Sequence, residues 1–251
     1  MNKRARIALA GLLAAVVVIG GGLYWYLRDD APAAVNLETA ANSVADTSES
    51  SDGEATSEDS ASAAPVELPG VWNVDADSGE FDFESATGTF AGFRVQEQLA
   101  EIGSATAVGR TGEVSGSIEI TGTTLDAATF EVDLTTITTN DRGRDGKVQG
   151  ALETSAFPTA KFVLTQPVDL GAGAASGAAT SVTAVGDLTI HGVTKAVEFP
   201  LEAKLVGSTI VVVGSLDLSF ADYGVSPPTA PIVLSVEDHG VLEVQVLLVK
   251  S

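Results

Sequence analysis

Residues 185–201 read VGDLTIHGVTKAVEFPL. Leu188 and Ile190 alternate with polar neighbours before His191-Gly192, and Val197, Phe199 and Leu201 alternate after it. Period-2 alternation on both sides of a short turn is the signature of a β-hairpin with one apolar face. A histidine followed by glycine sits well in such a turn, where an imidazole can bond to backbone groups. A catalytic histidine would instead need a nucleophile to serve and a group to orient it. No recognisable nucleophile motif such as G-x-S-x-G occurs in the chain. His191 is therefore expected to pin a turn, with contact to a ligand head group as the weaker alternative.

The same alternation recurs outward from this hairpin. It appears in GSIEITG (Ile118, Ile120), TFEVDLTTI (Phe130, Val132, Leu134) and AKFVLTQ (Phe162, Leu164). It returns in STIVVVGSLDLSF (Leu216, Leu218) and GVLEVQVLLV (Leu242, Val244, Val246, Leu248). With an opening strand around Phe81 and Phe83, about eight strands are predicted, all separated by turn clusters. Strands of one face pattern must stack or close to avoid exposed edges, and an eight-stranded barrel is just wide enough for its own side chains or one slender ligand. One stretch breaks the period: in FRVQEQLAEIG, residues 93–103, Val95, Leu99 and Ile102 fall at i, i+4 and i+7 before a glycine, which predicts one short amphipathic helix closing a mouth. The low-complexity run GAGAASGAATS, residues 171–181, reads as a loop without function.

The rest of the chain is different material. Lys3, Arg4 and Arg6 precede an uncharged run, residues 7–27, ending in Tyr24, Trp25 and Tyr26. At 1.5 Å per residue that run reaches roughly 31 Å, enough for a bilayer core, and the flanking charges put the N-terminus in the cytoplasm. The expectation is a single-pass anchor over residues 1–28 in the cell membrane with everything after it extracytoplasmic; a cleaved signal peptide is the competing reading. Residues 29–69 hold ten acidic residues, no basic ones and much Ala, Ser and Thr, and are expected to form a disordered linker spanning roughly 35 Å. Residues 70–251 form the folded domain.

Composition excludes several chemistries. The 251 residues include no cysteine, so neither disulfides nor thiolate sites exist, and 34 Asp+Glu against 13 Lys+Arg give a formal charge of -21. Such a charge repels nucleic acid. The two histidines, His191 and His239, have 47 residues between them and lack the fixed spacing of known metal sites, so neither a metal nor a cofactor is expected. Arg142, Arg144 and Lys147 in TTNDRGRDGKVQG alternate with acids; they read as a solvated loop, or as a weak head-group contact through Arg142, Arg144 and His191.

Three segments together carry a resemblance. WNVDADSGEFDFE (72–84), TTITTNDRGRDGKVQGALETSAFPTAKFVLT (135–165) and VGDLTIHGVTKAVEFPL resemble, in order and spacing, the YceI-like family of periplasmic and exported proteins. The stretch from Phe90 to Gly116, with Arg94, Arg110 and Thr111, departs from the family's familiar opening and is similar to membrane-anchored actinobacterial members; the family's loop histidine is replaced near Gly146 and Lys147. The resemblance implies an all-β, extended antiparallel lipocalin-like barrel that binds an isoprenoid-type lipid, a polyprenyl chain or quinone tail, without being an enzyme, and it leaves a homodimer open. On that reading Phe81, Phe83, Val95, Leu99, Ile102, Phe130, Val132, Leu134, Phe162, Leu164, Leu188, Ile190, Phe199, Leu216, Leu218, Val244 and Val246 would face the ligand. The rival expectation is a structural or protein-interaction domain whose barrel is filled by its own side chains.

Overall fold

The computed structural model describes residues 31–50, 67–75, 80–100, 103–228 and 233–251. Strands are β1 (Gly70–Val74), β2 (Phe90–Leu99), β3 (Gly103–Thr111), β4 (Val114–Thr121), β5 (Thr124–Asp133), β6 (Thr138–Thr139) and β7 (Thr159–Leu164). They continue with β8 (Val168–Asp169), β9 (Thr180–Ile190), β10 (Val193–Val206), β11 (Thr209–Ser219), β12 (Val233–Val236) and β13 (His239–Lys250). Two helices, α1 (Leu37–Ser50) and α2 (Arg142–Ala151), lie among the described residues.

The hydrogen-bonded order β1-β4-β5-β7-β9-β10-β11-β13 returns to β1, so eight antiparallel strands close on themselves. Closure removes the sheet edges that such alternating strands would otherwise expose. Along the edge away from β11, strand β13 serves two neighbours: Leu248 to Lys250 pair with β1, and Val241 to Gln245 pair with β2. The wall near the start of β13 is thereby extended by β2, β3 and β6. At the opposite end Leu68, Trp72, Ile118, Ile120, Leu125, Ile210 and Leu248 form a buried apolar cluster. Burying each such side chain contributes about 1.5–3 kcal/mol.

The quoted hairpin is β9–β10, paired from Val193↔Ile190 to Ala203↔Thr180. Its two-residue turn has φ of 52° at His191 and 72° at Gly192, the positive values that a type I′ turn requires at both positions. A side chain at Gly192 would lie 2.6 Å from the Phe157 ring, so glycine is needed there on steric grounds as well.

Four expectations are corrected. The helix predicted over residues 93–103 is strand β2, paired on one side with β3 from Ala91↔Thr111 to Leu99↔Gly103 and on the other with β13. A spacing of four is an even number, so Val95 and Leu99 satisfy a strand's period as well as a helix's, and pairing on both sides decides the case. The opening strand is not around Phe81 and Phe83 but at β1, where Trp72 is fully buried. The basic stretch expected as a loop is helix α2: the Asp141 carboxylate accepts from the Gly143 N–H (2.8 Å) and caps it. Within the acidic stretch expected to be disordered, residues 37–50 form α1, capped by Asn36, whose side chain accepts from the Thr39 N–H (3.0 Å), while residues 51–66 lie outside the described residues. Leu37, Ala40 and Val44 of α1 pack on Val211, Val213 and Leu247 of the barrel's outer wall.

The predicted anchor, residues 7–27, lies outside the described residues. Among the described residues no helix is long and apolar enough to cross a membrane. The expected single-pass placement in a cell membrane, with its cytoplasmic N-terminus and extracytoplasmic barrel, is withdrawn on that finding.

Candidate functional site

Strand alternation turns one face of every barrel strand inward. Even positions do so on β13 (Val244, Val246, Leu248), and odd positions on β10 (Phe199, Leu201, Ala203, Leu205). Together these faces enclose a cavity of about 280 Å3, roughly twenty times what a single water site needs. On β9 it extends from Thr180 to Ile190. Ten residue steps at about 3.3 Å, on a strand tilted by about 40°, correspond to a tunnel roughly 25 Å long.

One end of the tunnel is sealed. Leu68, Ile120, Leu125, Leu170 and Leu205 close it, joined by Ala174 and Ala178 from the low-complexity insertion. That insertion, expected to be idle, contributes small side chains to the closed end. The other end is built from α2 (Val148, Ala151), Leu152, Tyr223, Val225, Pro227, Pro228 and Val236. Burial raises the pKa of the Tyr223 phenol there, and the nearby Asp222 charge adds to the shift.

At this second end stands a buried ion pair. Glu97 is the inward residue of β2 beyond Val95, and its carboxylate accepts from the Arg144 guanidinium of α2 at 2.7 Å. Arg144 also donates to the Asn140 side chain (2.9 Å). Asn140 in turn is fixed by the Val108 N–H (3.1 Å) and the Thr106 carbonyl (3.0 Å). The side chains of Glu97 and Arg144 are 5% and 15% exposed. Lys161 and Lys204 also border the cavity, but alternation assigns them to the outward positions of β7 and β10.

Of the predicted ligand-facing residues, Val95, Phe130, Val132, Leu134, Phe162, Leu164, Leu188, Ile190, Phe199, Leu218, Val244 and Val246 line this one cavity, as does Arg144. Others do not. Phe81 stacks on Phe90 (5.9 Å) and the Phe83 carbonyl accepts from Arg110 (2.8 Å), both away from the cavity. Leu99 is half-buried at the end of β2, where it pairs with Val233, and Leu216 pairs with Leu242 without lining the space. Ile102 lies outside the described residues, and Arg142 is exposed at the first turn of α2. His191 is in the turn: its Nδ1–H donates to the Tyr223 carbonyl (3.1 Å), and the Phe157 ring meets it edge-on at 4.7 Å. Its Nε2 is buried without a hydrogen-bond partner, 3.7 Å from the Glu153 carboxylate. Among the described residues no group of three His, Asp or Glu side chains is placed to hold a metal ion.

Glu97 went unseen in the sequence because an acid interrupts the apolar alternation of β2. The α2 lining was masked by the glycines at 143, 146 and 150.

A second buried charge cluster lies on the outside of the barrel. Glu243 accepts from Arg94 Nε (2.9 Å) and lies 3.6 Å from Arg110. Arg110 is wholly buried and stacks over Phe90 at 4.6 Å. Its desolvation pushes the guanidinium pKa down, against the opposing attraction of Glu243. Both arginines hold the chain that precedes α1: Arg94 donates to the Pro32 carbonyl and Arg110 to the Ala33 carbonyl (2.7 Å), while the Val35 N–H donates to Glu243 (3.3 Å). The described part of the acidic stretch is thus strapped to the barrel through residues 32–35 and α1.

Comparison with known proteins agrees with this architecture. A UPF0312 protein of Shewanella denitrificans is 28% identical over 161 residues, covering 59% of this chain and 80% of the relative. A polyisoprenoid binding domain from Saccharophagus degradans, implicated in plant cell wall breakdown, superposes with a TM-score of 0.54 at 18% identity, covering 72% of this chain and 98% of that one. BcnA of Burkholderia cenocepacia superposes with a TM-score of 0.50 at 20% identity, covering 69% and 98%. These likenesses concern the fold. The model of the YceI-like domain matches residues 72–248, and the chain belongs to that family.

Proposed function

We propose that this protein binds an isoprenoid-type lipid, a polyprenyl chain or the tail of a quinone, inside its barrel, for carriage or sequestration rather than chemistry. The observation that carries this reading is the apolar tunnel roughly 25 Å long, sealed at one end and lined by twelve of the side chains expected to face a ligand. A continuous cavity also weighs against the rival view of a barrel filled by its own side chains. An isoprene unit adds four carbon–carbon bonds of about 1.5 Å, or about 5 Å when extended, so the tunnel accommodates about five units in line. At about 0.8 kcal/mol per buried carbon, each five-carbon unit gains about 4 kcal/mol against water. Against another apolar phase the gain is near zero, so the same tunnel that shields the chain from water can release it to a lipid phase.

The test is blockage of the tunnel. Ala184 is buried on its wall midway along β9. Full-length protein should take up a labelled polyprenol from vesicles, and Ala184→Trp should abolish uptake while the protein remains folded. Uptake that survives the plug would contradict an internal site.

A further inference from the structure

The geometry points to a head-group selectivity set by Glu97 and Arg144: the mouth accepts a prenyl lipid with a neutral oxygen head, an alcohol or a ketone, and rejects one with a pyrophosphate head. This rests on the lipid-binding reading above and specifies its ligand. An apolar tunnel sealed at one end by Leu68, Ile120 and Leu125 leaves a tail-first ligand with its head beside the charged pair at the other end. An arginine at such a mouth would ordinarily suit a phosphate. Here its charge is already met by a buried carboxylate at 2.7 Å. A pyrophosphate would gain Arg144 only by approaching Glu97 in a poorly hydrated space, where like charges cost several kcal/mol.

The pair still offers hydrogen bonds. Arg144 has five N–H donors, of which one N–H goes to Asn140 and one to Glu97. Glu97 uses one oxygen, Oε2, toward Arg144. A hydroxyl can accept from Arg144 and donate to Glu97, and a carbonyl can accept from Arg144. The Asn140 bonds to Val108 and Thr106 hold the guanidinium in place, so it cannot swing out to meet an anion at little cost.

Farnesol, a short-chain prenyl quinone and farnesyl pyrophosphate, each titrated into the full-length protein, provide the test. The alcohol and the quinone should bind on the order of tenfold or more tighter than the pyrophosphate, equivalent to about 1.4 kcal/mol or more. Glu97→Gln should invert that order by freeing Arg144. Arg144→Gln, which leaves Glu97 unmatched, should weaken the pyrophosphate further and keep the alcohol. Which neutral head binds tighter identifies the source. A wild-type preference for pyrophosphate, or a ratio unmoved by both folded variants, overturns the selectivity while leaving the lipid site standing. Failure of all three ligands and of a headless prenyl hydrocarbon to bind would overturn both.

Discussion

Replacing Glu243 with glutamine removes one negative charge from the outer wall and nothing else of comparable size. In the native protein this carboxylate, 1% exposed, faces Arg94 at 2.9 Å and Arg110 at 3.6 Å. After the change Arg110 keeps its carbonyl partners, Ala33 and Phe83, but loses its principal counter-charge and retains only the weaker attraction of Glu84. Breaking a buried ion pair by removing one partner costs about 3–5 kcal/mol. Arg94, at 17% exposed, can recover some hydration, which places the effect near the lower figure. At about 2–4 °C per kcal/mol for a domain of this size, Glu243→Gln should melt roughly 6–12 °C below wild type by calorimetry. The exposed Glu119→Gln should change stability by less than about 0.5 kcal/mol. Because the cluster also holds residues 32–35, the variant should lose protection against proteolysis across residues 31–50. A melting point within a degree or two of wild type, with the strap still protected, would refute the claim that this cluster fastens the acidic segment.

Other consequences follow from single sites. His191→Ala loses the bond to the Tyr223 carbonyl and should cost about 1 kcal/mol, measured by denaturant titration, with lipid uptake unchanged; lost uptake at intact stability would make His191 a ligand contact. Gly116 has φ of 148° and no room for a side chain, since a Cβ would lie 2.2 Å from the Thr129 carbonyl oxygen. Gly116→Ala should therefore destabilise the β4–β5 pairing by about 1–3 kcal/mol, and an unchanged midpoint would count against the register. His239 has its pKa raised by the hydrogen bond to Asp238 and by the charge of Glu237. Its stabilisation is present in full below the unfolded value near 6.5 and fades as pH rises through the higher folded value. Ring NMR titration should find that raised midpoint, and Asp238→Asn should return it toward about 6.5.

The barrel was legible because its strands keep strict alternation over long stretches, as at Leu188-Ile190 and Val197-Phe199-Leu201. A cavity wall is simply that inward face, so most of the lining followed from the same signal. The failures have physical causes. In β2 an inward acid, Glu97, replaced the apolar residue that would have marked a strand, and the four-residue spacing of Val95 and Leu99 fitted either period. In α1 the stripe Leu37, Ala40, Ala41 and Val44 was present, but the surrounding acid and serine concealed it. Its docking depends on Val211, Val213 and Leu247, more than 150 residues away. The clamp of Arg94, Arg110 and Glu243 is likewise long-range, and no local pattern encodes it.

Organic extraction of the purified full-length protein, followed by mass spectrometry, shows whether the barrel carries a lipid. Approximately one prenyl lipid per folded chain, absent from Ala184→Trp prepared in parallel, is the predicted result. A folded wild-type protein that yields no prenyl lipid, and takes none up from vesicles, would contradict it.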